Sequence, residues 1–326
     1  MAWHFLKLRP VHAILRRGAA GTAALALGAL VCLTSFAVVA FETSGQVSQP
    51  TSQRFDPLTL TSRTAGSPRH EHVTHEWVIP VGRSSISVPI LMYHYVRTPP
   101  SVVTDRLGFN LSVSPSDFGA QMDWLAGHDY HPVTLLDLRA YFAGRQSLPS
   151  KPVVITFDDG YSDLYTTAFP ILQAHNFKAV AYIVSGFVGR SRYVTAAQVV
   201  ELSNYGIEIA SHTVNHPDLA RTPLPLVFYE LAASKDSLQK LVGHAVIDFA
   251  YPSGRFSPPV IAALFVTGYQ SATTTVPGTF HSEADRYTWT RVRVRGGESL
   301  IDFTQSLGPV EKTVEITDID VAGSVS

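Results

Sequence analysis

From residue 88 onward, short apolar runs recur at spacings that leave room for a helix between neighbours, and this rhythm restricts the fold more than any other feature of the chain. The runs fall at 88–93, 153–157, 179–183, 207–210, 247–250, 270–274 and 289–294. Each is too short for an ordinary helix; most are apolar at most positions, the texture of strands covered on both faces, while 270–274 and 289–294 carry the β-branched and aromatic residues that strands favour. The intervening segments carry helical signals. Ser116-Asp117 begins one helix, Thr195 stands as an N-cap before 196–204, and Pro223 opens a longer amphipathic stretch to about Leu241. About seven strands alternating with helices predict an α/β architecture, a distorted (β/α) barrel spanning 88–297. At 326 residues and 45% hydrophobic composition, the chain has ample apolar material for such a core.

Ahead of that domain, Lys7, Arg9, Arg16 and Arg17 make residues 1–17 a basic region, followed by an uncharged run at 18–41. Its length matches the roughly 20 residues with which a helix crosses about 30 Å of hydrocarbon. With positive residues before it and Glu42 after it, the segment is expected to keep the N-terminus cytoplasmic and to place everything beyond residue 42 outside the cytoplasm. It reads as a transmembrane signal-anchor; the alternative is secretion after cleavage near Ala40 in Val38-Val39-Ala40. Residues 42–87, rich in Ser, Thr and Pro, read as a flexible linker, and 298–326 as a polar, acidic C-terminal tail, either a peripheral element or a frayed end. A formal net charge of −1, with no basic stripe in the domain, argues against a nucleic-acid partner. Cys32 is the sole cysteine, so disulfides within the chain and thiolate metal sites are excluded, and histidines and carboxylates must carry any metal chemistry.

Four groups sit where strands end, the position at which α/β folds gather functional side chains. They are His94 after Leu91-Met92-Tyr93, Asp158-Asp159 after 153–157, His212 and His216 after 207–210, and Tyr251-Pro252-Ser253-Gly254 after 247–250. Taken one at a time, Asp-Asp-Gly after a strand is ordinary turn chemistry and a histidine is ordinary hydrogen-bonded filler. Together they point elsewhere. Adjacent aspartates at a buried strand mouth repel each other unless a cation or a proton bridges them. Two imidazoles and one carboxylate form a three-ligand set that leaves positions open on a divalent metal for water and a substrate oxygen.

Thr156-Phe157-Asp158-Asp159-Gly160, followed by Ser211-His212-Thr213 and His216-Pro217, resembles the first two motifs of the polysaccharide deacetylase family, also called the NodB-homology domain or carbohydrate esterase family 4. The resemblance implies a barrel that hydrolyses acetyl groups from acetylated sugars with a divalent metal, commonly zinc. By position it implies Asp159, His212 and His216 as metal ligands and Asp158 as general base. Water activated at the metal would attack the acetyl carbonyl, and a backbone N–H in the 251–254 turn, that of Ser253 by this register, would share the oxyanion's charge.

The chain also departs from the commonest family pattern. No Leu-x-His follows Arg295, and Val88-Pro89-Ile90-Leu91-Met92-Tyr93-His94 resembles the corresponding strand moved to the front, as in the permuted branch that includes exopolysaccharide deacetylases. That makes His94 the expected general acid. The arginine of the third motif is absent at Ala250, so an arginine that orients Asp158 must come from elsewhere, Arg291 or Arg255. Asp285-Arg286-Tyr287-Thr288-Trp289 echoes the fourth motif in part, with Trp289 expected either in the sugar groove or in the core, and Tyr251 beside the substrate. The expected activity is deacetylation of N-acetylglucosamine units in an envelope or exported polysaccharide. Two alternatives stay open: a catalytically weakened glycan-binding module, and a metal-dependent esterase or amidase on another acylated substrate.

Overall fold

Seven parallel strands close on themselves in the computed structural model of the protein, which describes residues 85–308. They are β1 (Ile90–Tyr93), β2 (Pro152–Phe157), β3 (Val180–Ile183), β4 (Glu208–Ser211), β5 (Asp248–Ala250), β6 (Ser271–Pro277) and β7 (Trp289–Arg293). Every apolar run named above supplies one of them, and β6 extends to Pro277, beyond the expected end at 274. The ring closes because β1 pairs with β7 on one side, Leu91 opposite Val292, and with β2 on the other, Leu91 opposite Ile155. The first strand in sequence therefore lies between the last and the second. The expectations for the basic region, the membrane segment and nearly all of the linker lie outside the described residues, as does most of the tail. Among the described residues, no helix is long and apolar enough to cross a membrane.

Helices form where the signals placed them. α1 (Pro115–Gly127) starts one residue before the expected Ser116 and is capped by Ser114. Further along come α2 (Leu135–Phe142), α3 (Ala196–Tyr205) and α4 (Leu224–Val242). Thr195 and Gln198 form a reciprocal capping box at the start of α3, so two of its unpaired N-terminal amides are satisfied locally. Beyond the glycine pair, α5 (Leu300–Ser306) is capped by Ser299 and buries Phe303 completely, in contact with α1. The part of the polar tail at 300–307 is thus packed structure, because Phe303 and Leu307 supply the apolar anchor that the acidic composition obscures.

Alternation along the strands decides what faces the barrel's centre. Leu91, Tyr93, Val153, Ile155 and Phe157 join the apolar cluster under the helices, whereas Ile90, Val154, Val180, Tyr182, Ala210, Ala250 and Trp289 join the cluster inside the barrel. Continuing the second set by steps of two puts Thr156 and then Asp158 on the inner face of β2, and Arg291 on the inner face of β7. At the opposite end, Arg139 of α2 forms a fork-to-fork ion pair with Asp248 at the start of β5, with distances of 2.9 and 2.7 Å, and bonds Gln270 at 2.8 Å. This buried pair ties a helix to the barrel's amino-terminal rim and leaves the carboxyl-terminal rim to the residues described next.

Candidate active site

Asp158 and Asp159 follow β2 directly, His212 follows β4, and His216 lies one turn of loop further on. The structure brings Asp159, His212 and His216 together: one donor atom from each lies within 4.8 Å of the others. Asp159 Oδ1 is 3.4 Å from His212 Nε2 and 3.3 Å from His216 Nε2. Asp159 Oδ1 is buried and has no hydrogen-bond partner among the described residues, which is costly unless a cation takes its charge. Burial by itself would raise the Asp159 pKa, but the two imidazoles outweigh it and hold the carboxyl well below its usual range. An orphaned carboxylate oxygen facing two imidazole nitrogens fits a divalent metal, and these three residues could hold one.

Local contacts fix the ligand directions. His212 Nδ1 lies 2.7 Å from the Ala250 carbonyl oxygen, which can only accept, so Nδ1 carries the proton and Nε2 is left with a lone pair toward Asp159. The 213–216 loop has left-handed residues at Thr213 (φ 71°) and His216 (φ 58°), and the His216 amide donates to Thr213 Oγ1 at 2.8 Å. Beneath this loop the buried carboxylate of Glu230, on α4, accepts from the amides of Val214 (2.8 Å) and Asn215 (2.9 Å) and from Asn215 Nδ2 (2.8 Å). Glu230 was not among the sequence candidates. Its signal was a charged residue on the helix stripe Val227, Leu231, Ser234 and Leu238, where a buried carboxylate needs several donors. Gly186 is required nearby, since its amide bonds the Val214 carbonyl at 3.0 Å and a Cβ there would collide with that oxygen.

Asp158 is held from the barrel interior. Arg291 donates to both of its oxygens, Nη1 to Oδ1 at 2.7 Å and Nη2 to Oδ2 at 2.8 Å. The same guanidinium donates through Nε to the Thr274 carbonyl at 2.7 Å and through Nη1 to Thr156 Oγ1 at 3.1 Å, and none of its surface reaches solvent. Burial raises the Asp158 pKa, yet Arg291 outweighs it and the net shift is downward, so the carboxylate is ionised at neutral pH. Arg291 therefore sits where an arginine orienting Asp158 has to sit. Arg255 does not: it is half exposed and pairs with Asp218 at 3.1 Å.

His94 Nε2 lies 3.8 Å from Asp158 Oδ2, too far for a hydrogen bond, so the two side chains share one site without pairing. Burial lowers the His94 pKa, Asp158 and Asp159 offset part of this, and Arg293 and Arg291 add to the lowering. Ser253 is exposed in the turn after β5, in left-handed backbone at φ 55°. One expectation is corrected, that for Tyr251, and one alternative is decided, that for Trp289. The Tyr251 side chain is fully buried, with its hydroxyl on the Tyr287 carbonyl, because alternation after Phe249 points it toward the helices. Trp289 does not line a groove: it opens β7 at the far end of the barrel, fully buried against Phe142 and His281, with its indole N–H on the Ser282 carbonyl.

The metal-free site has a testable proton linkage. Burial lowers the His216 pKa, but Asp159 outweighs it and the net shift is upward. Protons therefore compete with a metal at higher pH than an isolated histidine would allow. Apparent zinc affinity, measured by chelator competition between pH 8 and pH 6, is expected to fall by about tenfold per unit once pH drops below the His216 pKa. A flat profile across that range would remove His216 from the ligand set.

The description "Polysaccharide deacetylase" is that of the family model matching residues 145–272, a span that contains both aspartates and both histidines but neither His94 nor Arg291. YxkH of Bacillus subtilis, a protein assigned to the polysaccharide deacetylases, is 29% identical over 268 residues, 82% of this chain and 91% of its own length. The poly-beta-1,6-N-acetyl-D-glucosamine N-deacetylase of Escherichia coli is 37% identical over 121 residues, 32% of this chain and 18% of that much longer protein. Among solved structures, the Streptococcus pyogenes deacetylase PplD in complex with acetate superposes with a TM-score of 0.65 at 29% identity, covering 69% of this chain and all of that one. Similarity runs through the motif-bearing strands and through the barrel as a whole: the chain resembles the polysaccharide deacetylases, and these relatives and structural neighbours indicate a hydrolase of the deacetylase type.

Proposed function

We propose that this protein is a metal-dependent deacetylase acting on N-acetylglucosamine units of an envelope or exported polysaccharide, with zinc as its metal. The observation that carries the reading is the adjacency of two sites on one rim, the Asp159–His212–His216 donor set and the Asp158 carboxylate gripped by Arg291. Two imidazoles and a carboxylate suit zinc, and three ligands leave its other positions free. A metal held there supplies Lewis acidity that polarises the acetyl carbonyl and acidifies water. Asp158, kept ionised by Arg291, takes the proton from the attacking water. The Ser253 amide, at the turn after β5, donates to the developing oxyanion. His94 delivers a proton to the departing sugar nitrogen. The poly-N-acetylglucosamine activity named for the Escherichia coli relative supports the substrate class. The uncharged segment at 18–41 would tether the domain outside the cytoplasm, with residues 42–87 as the spacer that lets it reach a polymer.

Acetate release from β-1,6-linked N-acetylglucosamine oligomers, compared with acetylated xylan, tests this reading. Release from the amino-sugar oligomers alone is the expected result. Release from xylan alone would favour an esterase, and tight glycan binding with no release from either would favour a binding module. The pH dependence tests His94. An acid must hold its proton, so kcat/KM falls as pH rises through the His94 pKa, which burial places below the ordinary 6.5. His94→Ala at saturating zinc is expected to lose that alkaline limb and about 10²-fold in kcat. An unchanged profile would take His94 out of the mechanism.

A further inference from the structure

Asp159 presents its carboxylate from an unfavourable backbone. Asp159 (φ 73°) and Gly160 (φ 78°) are both left-handed, a conformation uncommon outside glycine that aspartate tolerates better than most side chains, so two such residues in a row need neighbours to hold them. The next residue, Tyr161, belongs to none of the roles above, yet its ring is clamped on both sides. On one side it stacks on Tyr95, with centroids 3.7 Å apart and planes 20° from parallel; on the other it stacks on Tyr193, at 5.1 Å and 28°. The row continues at both ends, with the Arg97 guanidinium 3.5 Å over Tyr95 and Phe187 4.9 Å from Tyr193. Tyr161 and Tyr193 also form an antiparallel bridge. Around it the Ser162 amide donates to the Arg192 carbonyl at 2.9 Å, and the Val194 amide to the Gly160 carbonyl at 3.0 Å.

Three separate chain segments thus converge on one ring. Tyr95 is the residue after His94, Tyr161 follows the Asp159–Gly160 turn, and Tyr193 comes from the loop between β3 and α3. What the stack can do is fix the turn, since a rotation at Asp159 or Gly160 would drag the ring out from between its partners.

We propose that Tyr161 is a positioning residue: its clamped ring locks the left-handed Asp159–Gly160 turn, so that the Asp159 carboxylate meets His212 and His216 ready to bind the metal. The proposal rests on the reading of Asp159 as a metal ligand. Zinc affinity of the full chain, measured by competition with a chromophoric chelator, tests it without reference to activity. Tyr161→Ala is expected to bind zinc at least about tenfold more weakly, the loss typical when a residue orienting a ligand is removed. Tyr161→Phe, which keeps the ring, is expected to retain affinity within about twofold of wild type on the same reasoning. Wild-type affinity in Tyr161→Ala overturns the proposal, and so does an equal loss in Tyr161→Phe, which would assign the effect to the hydroxyl. If Tyr161→Ala does not fold, Tyr193→Ala decides in the same way, because it removes one jaw of the clamp from a different loop. Asp159→Ala is the control: undiminished zinc affinity there would overturn the metal reading itself, and the clamp with it.

Discussion

Asp158→Asn is expected to lower kcat by about 10²–10⁴-fold while zinc stays bound, because it removes the proposed general base and leaves Asp159, His212 and His216 in place. The same substitution has a second consequence. Arg291 is fully buried and its fork is matched to a carboxylate, so an amide leaves its charge without a counterion. Breaking a buried pair from one side costs roughly 3–5 kcal/mol, which urea denaturation would detect. The two effects separate in the double variant Asp158→Asn/Arg291→Met, where an apolar side chain replaces the stranded cation. Stability is expected to recover in large part, since buried pairs exchanged for apolar groups often cost little. Activity is expected to stay low. Full activity in Asp158→Asn would end the base assignment, and recovery of activity in the double variant would mean that the single variant had failed only through misfolding.

The second large effect concerns the ligands. His212→Ala is expected to abolish zinc binding at stoichiometric metal and to reduce turnover by about 10³-fold or more, the scale of several kcal/mol of lost Lewis-acid stabilisation. His212 is the more decisive of the two histidines because it is buried and its tautomer is set by the Ala250 carbonyl, whereas His216 is about a third exposed. Metal content after dialysis, read by elemental analysis, checks the first part, and acetate release with added zinc checks the second. Retention of one zinc per chain in His212→Ala would contradict the ligand set. Removal of zinc from the wild-type protein by a chelator, with activity restored on adding it back, is the matching control.

Much of this molecule was legible in its residues, and the limits of that legibility have physical causes. The early barrel strands were visible because a strand covered on both faces is mostly apolar, as Val153-Val154-Ile155 shows without any partner being known; the late ones, which bury Thr273, Thr274 and Arg291, carried a weaker signal. Helix starts were visible because capping is local: Thr195 needs only Gln198, three residues away. At 300–307 the choice between a peripheral element and a frayed tail stayed open, since a single buried Phe303 outweighs the polar residues around it and composition averages that away. Tyr251 was misplaced and Trp289 was left between groove and core because a motif gives a position along the chain, whereas exposure depends on which face of the strand the side chain takes and at which end of the barrel it stands.

By itself the sequence determined the alternating architecture, the paired Asp158-Asp159 and His212/His216 motifs, and their location at strand ends, because each depends on near neighbours or on spacing. Only the tertiary structure decided the long-range pairings. Arg291 lies 133 residues from Asp158 along the chain, and no local signal ranked it above Arg255 until barrel closure aligned the inner face of β7 with the end of β2. His94 reaches the site for the same reason, since β1 must fill the gap between β7 and β2 for the ring to be complete. The Tyr95–Tyr161–Tyr193 stack and the Glu230 brace under the histidine loop are likewise products of closure. Such contacts join segments far apart in sequence, whose energy appears only once the chain has folded around them.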